Sequence, residues 1–118
     1  MQYILLIYTN EAETQKRTAA EGTQLFQEYM KFTQGIRDTG KFRAGEPLER
    51  SSTATTVRVR EGKTVRTDGP FAETREQLAG FYIVEAADLD EAVKLAAGIP
   101  DARNGSIEVR PIMPMPAR

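Results

Sequence analysis

Asp68, Gly69, Pro70 and Phe71 follow a strand-like run, and Glu73 stands two residues further on. An ionisable carboxylate in a turn beside an aromatic ring suits proton transfer, because a rigid sheet can hold a turn's side chain against a pocket. Two readings of Asp68 stand side by side. In the first, its carboxylate accepts backbone amides within its own turn. Gly69 then supplies unusual dihedrals, Pro70 fixes φ, and Phe71 plugs the core. In the second, a cleft desolvates Asp68 and makes it a general base that removes a proton next to a carbonyl. Glu73 and Tyr82 are the candidate partners for that step. Arg43 and Arg110 are candidates for holding a small anionic metabolite, since a guanidinium fork matches a carboxylate; surface ion pairing is the competing role. Phe71 and Asn104 complete the candidate binding set.

Other chemistry is excluded by what is missing. The 118 residues contain no histidine, cysteine or tryptophan. Disulfides, thiolate catalysis and histidine proton shuttling are therefore unavailable. No calcium-loop spacing occurs, so we expect neither a metal nor a cofactor. No Walker loop, G-x-G-x-x-G or nucleophile elbow is present, which removes phosphate-binding, dinucleotide-binding and hydrolase readings. Net charge is −1, with basic and acidic residues interspersed, so nucleic acid and anionic membranes are not expected partners. No apolar run approaches the roughly 20 residues that span a bilayer. The N-terminal segment lacks a basic n-region and a small-residue cleavage site, so it reads as a strand and not a secretory signal. Absence of cysteine fits a reducing cytoplasm.

The length suits one domain, 1–118, in which a handful of elements must position these residues. Residues 2–8 are apolar on both alternating faces, so both faces need cover, and a second subunit is the natural second cover. Polar residues 10–18 read as a loop. Thr18 and Glu21 form a capping box, followed by Leu25, Phe26, Tyr29, Met30, Thr33 and Ile36 at helical spacing. Core packing is the preferred reading of that stripe, with an aromatic ligand box as the alternative. Gly40 is the stop. Residues 41–48 make a second strand. Residues 55–60 and 63–67 flank Glu61-Gly62, a two-residue hairpin signal, read as a solvated edge hairpin with one face wet. Residues 80–85 form a strand, and Asp88 caps a helix with an inner stripe of Leu89, Ala92, Val93 and Ala96. Residues 106–112 form the last strand, and the Met-Pro tail after it cannot join a central strand. The order is α+β: a ferredoxin-like βαββαβ plan with an inserted β-hairpin.

Four segments carry a family resemblance. Tyr3-Ile4-Leu5-Leu6-Ile7-Tyr8, Ala54-Thr55-Thr56-Val57-Arg58, the block from Asp68 to Tyr82, and Ile107-Glu108-Val109-Arg110-Pro111 resemble the YCII-related proteins of the DGPF subgroup. The resemblance implies a homodimer whose subunits form a dimeric α+β barrel, usually bacterial and cytoplasmic. It also implies two functional themes. Some members of the wider superfamily eliminate chloride from chlorinated ring or lactone intermediates with a histidine and a carboxylate. Other members are encoded beside extracytoplasmic-function sigma factors, which implies a regulatory partnership. Many relatives read Ala-Arg-His-Gly before the last strand, whereas this chain has Ala102-Arg103-Asn104-Gly105. Asn104 exchanges no proton at neutral pH. A histidine mechanism therefore does not carry over, and a lyase or isomerase step would fall to Asp68 with Tyr82 or Glu73. The alternative is a non-enzymatic interaction module associated with such a sigma factor.

Overall fold

A computed structural model describes residues 1–116. Four antiparallel strands form the main sheet, in the order β2-β5-β1-β6. They are β1 (Gln2–Thr9), β2 (Phe42–Pro47), β5 (Gln77–Glu85) and β6 (Ser106–Pro111). Helices α2 (Ala19–Asp38) and α3 (Leu89–Ala97) provide the other layer. This is the ferredoxin-like arrangement, with no closed barrel within one chain. The remaining pair, β3 (Thr55–Arg60) and β4 (Lys63–Asp68), forms a separate two-stranded sheet.

Register decides which residues reach the core. Tyr3, Leu5 and Ile7 lie opposite Val84, Tyr82 and Gly80 on one side, and opposite Pro111, Val109 and Ile107 on the other. Tyr3, Leu5, Tyr82 and Val84 are buried there against Ile36, Ala92, Ala96 and Ile99. Ile4, Leu6, Tyr8, Phe81 and Ile83 alternate onto the opposite face. They stay only half-buried, because among the described residues no helix or strand packs over that face. Gly105 permits the tight entry into β6. A Cβ there would stand 2.0 Å from the Tyr8 carbonyl oxygen, so only glycine fits.

Several expectations change. The stretch 10–18 holds a one-turn helix, α1 (Glu11–Thr14), capped by Asn10. Glu11 anchors it by accepting from the Ser51 amide at 2.8 Å and the Ser51 hydroxyl at 2.6 Å. On α3 the inner stripe is Ala92 and Ala96, while Leu89 and Val93 are about half exposed. The capping box at Thr18 and Glu21 forms as read. The α2 stripe does not pack as core along its length: Ile36 is buried, but Phe26 is 64% and Met30 58% exposed. Nor does the hairpin edge the main sheet. Glu61 and Gly62 both take positive φ, as a two-residue turn of this kind demands. Its strands bond only to each other, and Val57 and Val59 are 58% and 61% exposed. The projecting arm enlarges the molecule. Its radius of gyration is 16.4 Å, against about 13.5 Å for a compact chain of this length.

Candidate functional site

Asp68 ends β4 at the base of the projecting hairpin, and its side chain is exposed. The turn is held by other groups. The Gly69 amide donates to the Ala54 carbonyl at 2.7 Å, and the Thr56 hydroxyl donates to the Gly69 carbonyl at 2.8 Å. Gly69 does supply the unusual dihedral, at φ 96. Phe71 does not plug the core: it is 80% exposed, because the segment after β4 runs over the surface. Glu73 is likewise exposed in that segment.

Tyr82 is elsewhere. It lies on the helix-covered face of β5, beneath α2, and lines a cleft that Asp68 does not border. The two candidate arginines are also apart. Arg43 is at a bulge in β2 and Arg110 is on β6, the two edges of the four-stranded sheet. Three strand spacings put those edges about 14 Å apart. Arg43 donates to the Gly40 and Phe42 carbonyls, and Arg110 pairs with Glu108. Asn104 caps a short 3-10 turn in right-handed backbone and faces a small polar depression with Arg17 and Glu21.

What the fold does gather is a cleft of about 420 Å³ between α2 and the β2–β5 edge. Its volume is in the range of small-molecule sites. The N-terminal half of α2 stands off the sheet, so Leu25, Phe26 and Met30 form one wall without filling the space. Gly45 and Gly80 form the floor. A Cβ on Gly45 would come within 2.7 Å of the Tyr82 ring, and one on Gly80 within 2.8 Å of the Glu46 carbonyl oxygen. Both glycines therefore let β2 and β5 close under the cleft while leaving it open above.

Polar groups enter this apolar space at two levels along α2. At one, the Thr33 and Tyr82 hydroxyls lie 2.6 Å apart, and Tyr82 is steadied edge-on by Phe32 at 5.3 Å. One turn nearer the helix start, the Tyr29 hydroxyl donates to Asp101 at 2.7 Å. Arg17 donates to the other Asp101 oxygen at 3.1 Å. Asp101 is buried, so its charge depends on these two partners. Burial raises the Tyr29 phenol well above its usual range, with the hydrogen bond to Asp101 adding to it. Burial also raises Tyr82, against smaller lowering effects of the Thr33 hydrogen bond and Arg37. Both phenols thus stay neutral across the physiological range.

Arg37, at the last turn of α2, stacks over Phe42 with 4.5 Å from guanidinium carbon to ring centroid. A larger depression of about 930 Å³ lies between α2 and α3, but it is open and bordered by solvated Gln24, Gln27 and Lys31. Among the described residues no group of three or more acidic, histidine or cysteine side chains could hold a metal ion. No described helix is long and apolar enough to cross a membrane.

Of the residues that the sequence offers for a site, Tyr82 alone lines this cleft. Tyr29 and Thr33 were visible only as members of a helical stripe. Asp101 and Arg17 carry no local signal at all, being joined across 84 positions.

The family model for the YCII-related domain matches residues 1–116. "Uncharacterized protein R00369" from Rhizobium meliloti (strain 1021) is 36% identical over 114 residues, covering 95% of this chain and 92% of that relative.

Proposed function

Because this chain belongs to the YCII-related domain family, we propose that it is a small-molecule-binding homodimer whose ligand occupies the cleft beneath α2. The observation that carries the reading is the cleft itself, where apolar walls surround the paired Thr33 and Tyr82 hydroxyls. Small-molecule sites combine these features: apolar bulk for affinity and a few placed polar groups for orientation. The ligand that fits is largely apolar and carries a carbonyl, hydroxyl or carboxylate. Ligand-observed NMR with a fragment library tests this. Fragments should bind the native protein and be excluded by Met30→Trp, which fills the cleft from an exposed position. Equal binding by that variant would remove the cleft from consideration.

A second copy completes the molecule in this proposal. Pairing of the open sheet faces through Ile4, Leu6, Phe81 and Ile83 would generate the dimeric α+β barrel. From strand spacing and rise, that face offers roughly 450 Å² per copy, short of the roughly 800 Å² per partner of a standard interface. The exposed valines of the projecting hairpin can supply the difference. Sedimentation equilibrium at micromolar concentration should give a dimer, and Leu6→Lys should give a folded monomer. A native monomer would contradict the proposal.

A second reading keeps Asp68 as the acid/base group of a lyase or isomerase, with Glu73 from the same turn. The exposed Phe71 beside it would give an incoming ligand an apolar surface next to the carboxylate. Asp68→Asn should leave the fold intact and abolish deuterium exchange next to the carbonyl of a bound ligand in D₂O. Unchanged exchange would sink the assignment. The regulatory alternative, association with an extracytoplasmic-function sigma factor, draws on the same hairpin surface. A native pull-down that recovers no protein partner would count against it. A cytoplasmic setting suits either reading, given a chain without cysteine.

A further inference from the structure

We propose that Arg37 makes the cleft beneath α2 a carboxylate site, and that its ligand is a small apolar monocarboxylic acid. The inference rests on the cleft reading above and adds the chemical class.

The argument starts from where the guanidinium donors go. Arg37 is on the last turn of α2, where a basic side chain often bonds the free carbonyls of the helix end. Here that need is met by others. The Ile36 carbonyl accepts from the Lys41 amide at 3.1 Å and the Thr39 hydroxyl at 3.0 Å. The Gly35 carbonyl accepts from the Thr39 amide. Among the described residues, no carboxylate lies within ion-pair distance of Arg37. Asp38, the next residue along the chain, accepts from Gln34 at 2.8 Å, and Glu91 takes Lys41. The Arg37 guanidinium sits over the Phe42 ring at the cleft, and no hydrogen bond or ion pair to a described residue occupies its donors.

No acid in the cleft competes for it. Asp101 is already bonded to Arg17 and Tyr29. Glu46 borders the space, but its register opposite Phe81 puts its side chain on the other face of the sheet. Arg43 and Arg110, the arginines first considered for an anion, bond backbone carbonyls and Glu108 respectively. Arg37 is the arginine that combines an aromatic platform, a cleft and a free donor edge.

The neighbouring hydroxyls fit the same ligand. In the Thr33–Tyr82 pair, one proton makes the bond between them and the other remains to be donated. Burial keeps Tyr82 protonated, so the pair offers a donor without charge repulsion. A carboxylate can thus meet the guanidinium at one oxygen and a hydroxyl at the other. Beyond it, the wall of Leu25, Phe26 and Met30 leads toward Tyr29, two helical turns or about 12 Å from Arg37. That length holds a short acyl or aryl chain.

The test is isothermal titration calorimetry with hexanoate and 4-phenylbutyrate against hexanamide, on the full chain. Both acids should bind at least about tenfold more tightly than the amide. Arg37→Met should bring the affinity for the acids down to that for the amide, while Arg37→Lys should retain part of the preference. Circular dichroism checks that each variant is folded. Equal affinity for hexanoate and hexanamide, or an unaltered preference in Arg37→Met, overturns the carboxylate assignment and leaves the cleft standing. No binding of any probe at millimolar concentration overturns both.

Discussion

Replacing Asp101 by asparagine should destabilise the protein by about 2–3 kcal/mol. The substitution keeps the side chain's volume and its ability to accept from Tyr29, so little packing is lost. What disappears is the charge that Arg17 faces at 3.1 Å, at a carboxylate side chain 8% exposed. Removing one partner of a buried ion pair costs about 3–5 kcal/mol, largely through the charge left behind. Arg17 is 25% exposed and can turn partly to solvent, which reduces the penalty. The hydrogen bond from Tyr29 also weakens, since a charged acceptor contributes about 1 kcal/mol more than a neutral one. For 118 residues, unfolding entropy is about 250 cal/mol/K, so 2–3 kcal/mol lowers Tm by roughly 8–12 °C. Urea unfolding followed by circular dichroism measures the loss directly. The double variant with Arg17→Met should recover about 1 kcal/mol or more, because no unpaired cation remains. A loss below 1 kcal/mol with no recovery would refute the view that this pair ties the start of α2 to the segment before β6.

Two further outcomes follow from single contacts. Gly105→Ala should cost about 3 kcal/mol or more, because its Cβ meets the Tyr8 carbonyl of a central strand at 2.0 Å; a thermal melt within about 4 °C of native would show that β1 and β6 can part at no cost. Stability should also fall in alkali. Tyr29 and Tyr82 are raised by burial, so the unfolded chain loses those protons first as pH climbs past about 10, and stability present below that pH drains away above it. Tyr29→Phe should flatten the decline in urea midpoints between about pH 9.5 and 11, and an unchanged slope would contradict the burial of that phenol.

Much of the fold is legible because its causes are local. The Thr18–Glu21 box lies within one turn, and Glu61-Gly62 imposes its own backbone. Alternation in residues 2–8 states that both faces want cover. Where sequence reading went astray, the cause was tertiary. Phe26 and Met30 have the spacing of core residues, yet α2 is lifted from the sheet along its first half. Leu89 and Val93 have the same spacing as Ala92 and Ala96, yet the face that α3 turns to the core carries the alanines. The Asp68 turn has the residue types of a site, but a hairpin that pairs with no other strand carries it into solvent.

The sequence by itself determined the order of the strands and of the two longer helices, the starts of those helices, the hairpin, and a family signature spread along the chain. Tertiary structure alone decided which polar groups meet. Asp101 meets Arg17 and Tyr29, and Tyr82 meets Thr33, because the sheet and the helix across it bring distant segments together. Side-chain periodicity encodes which face a residue occupies, but not what stands across the gap from it. That depends on register and helix height, which are set by the whole core at once.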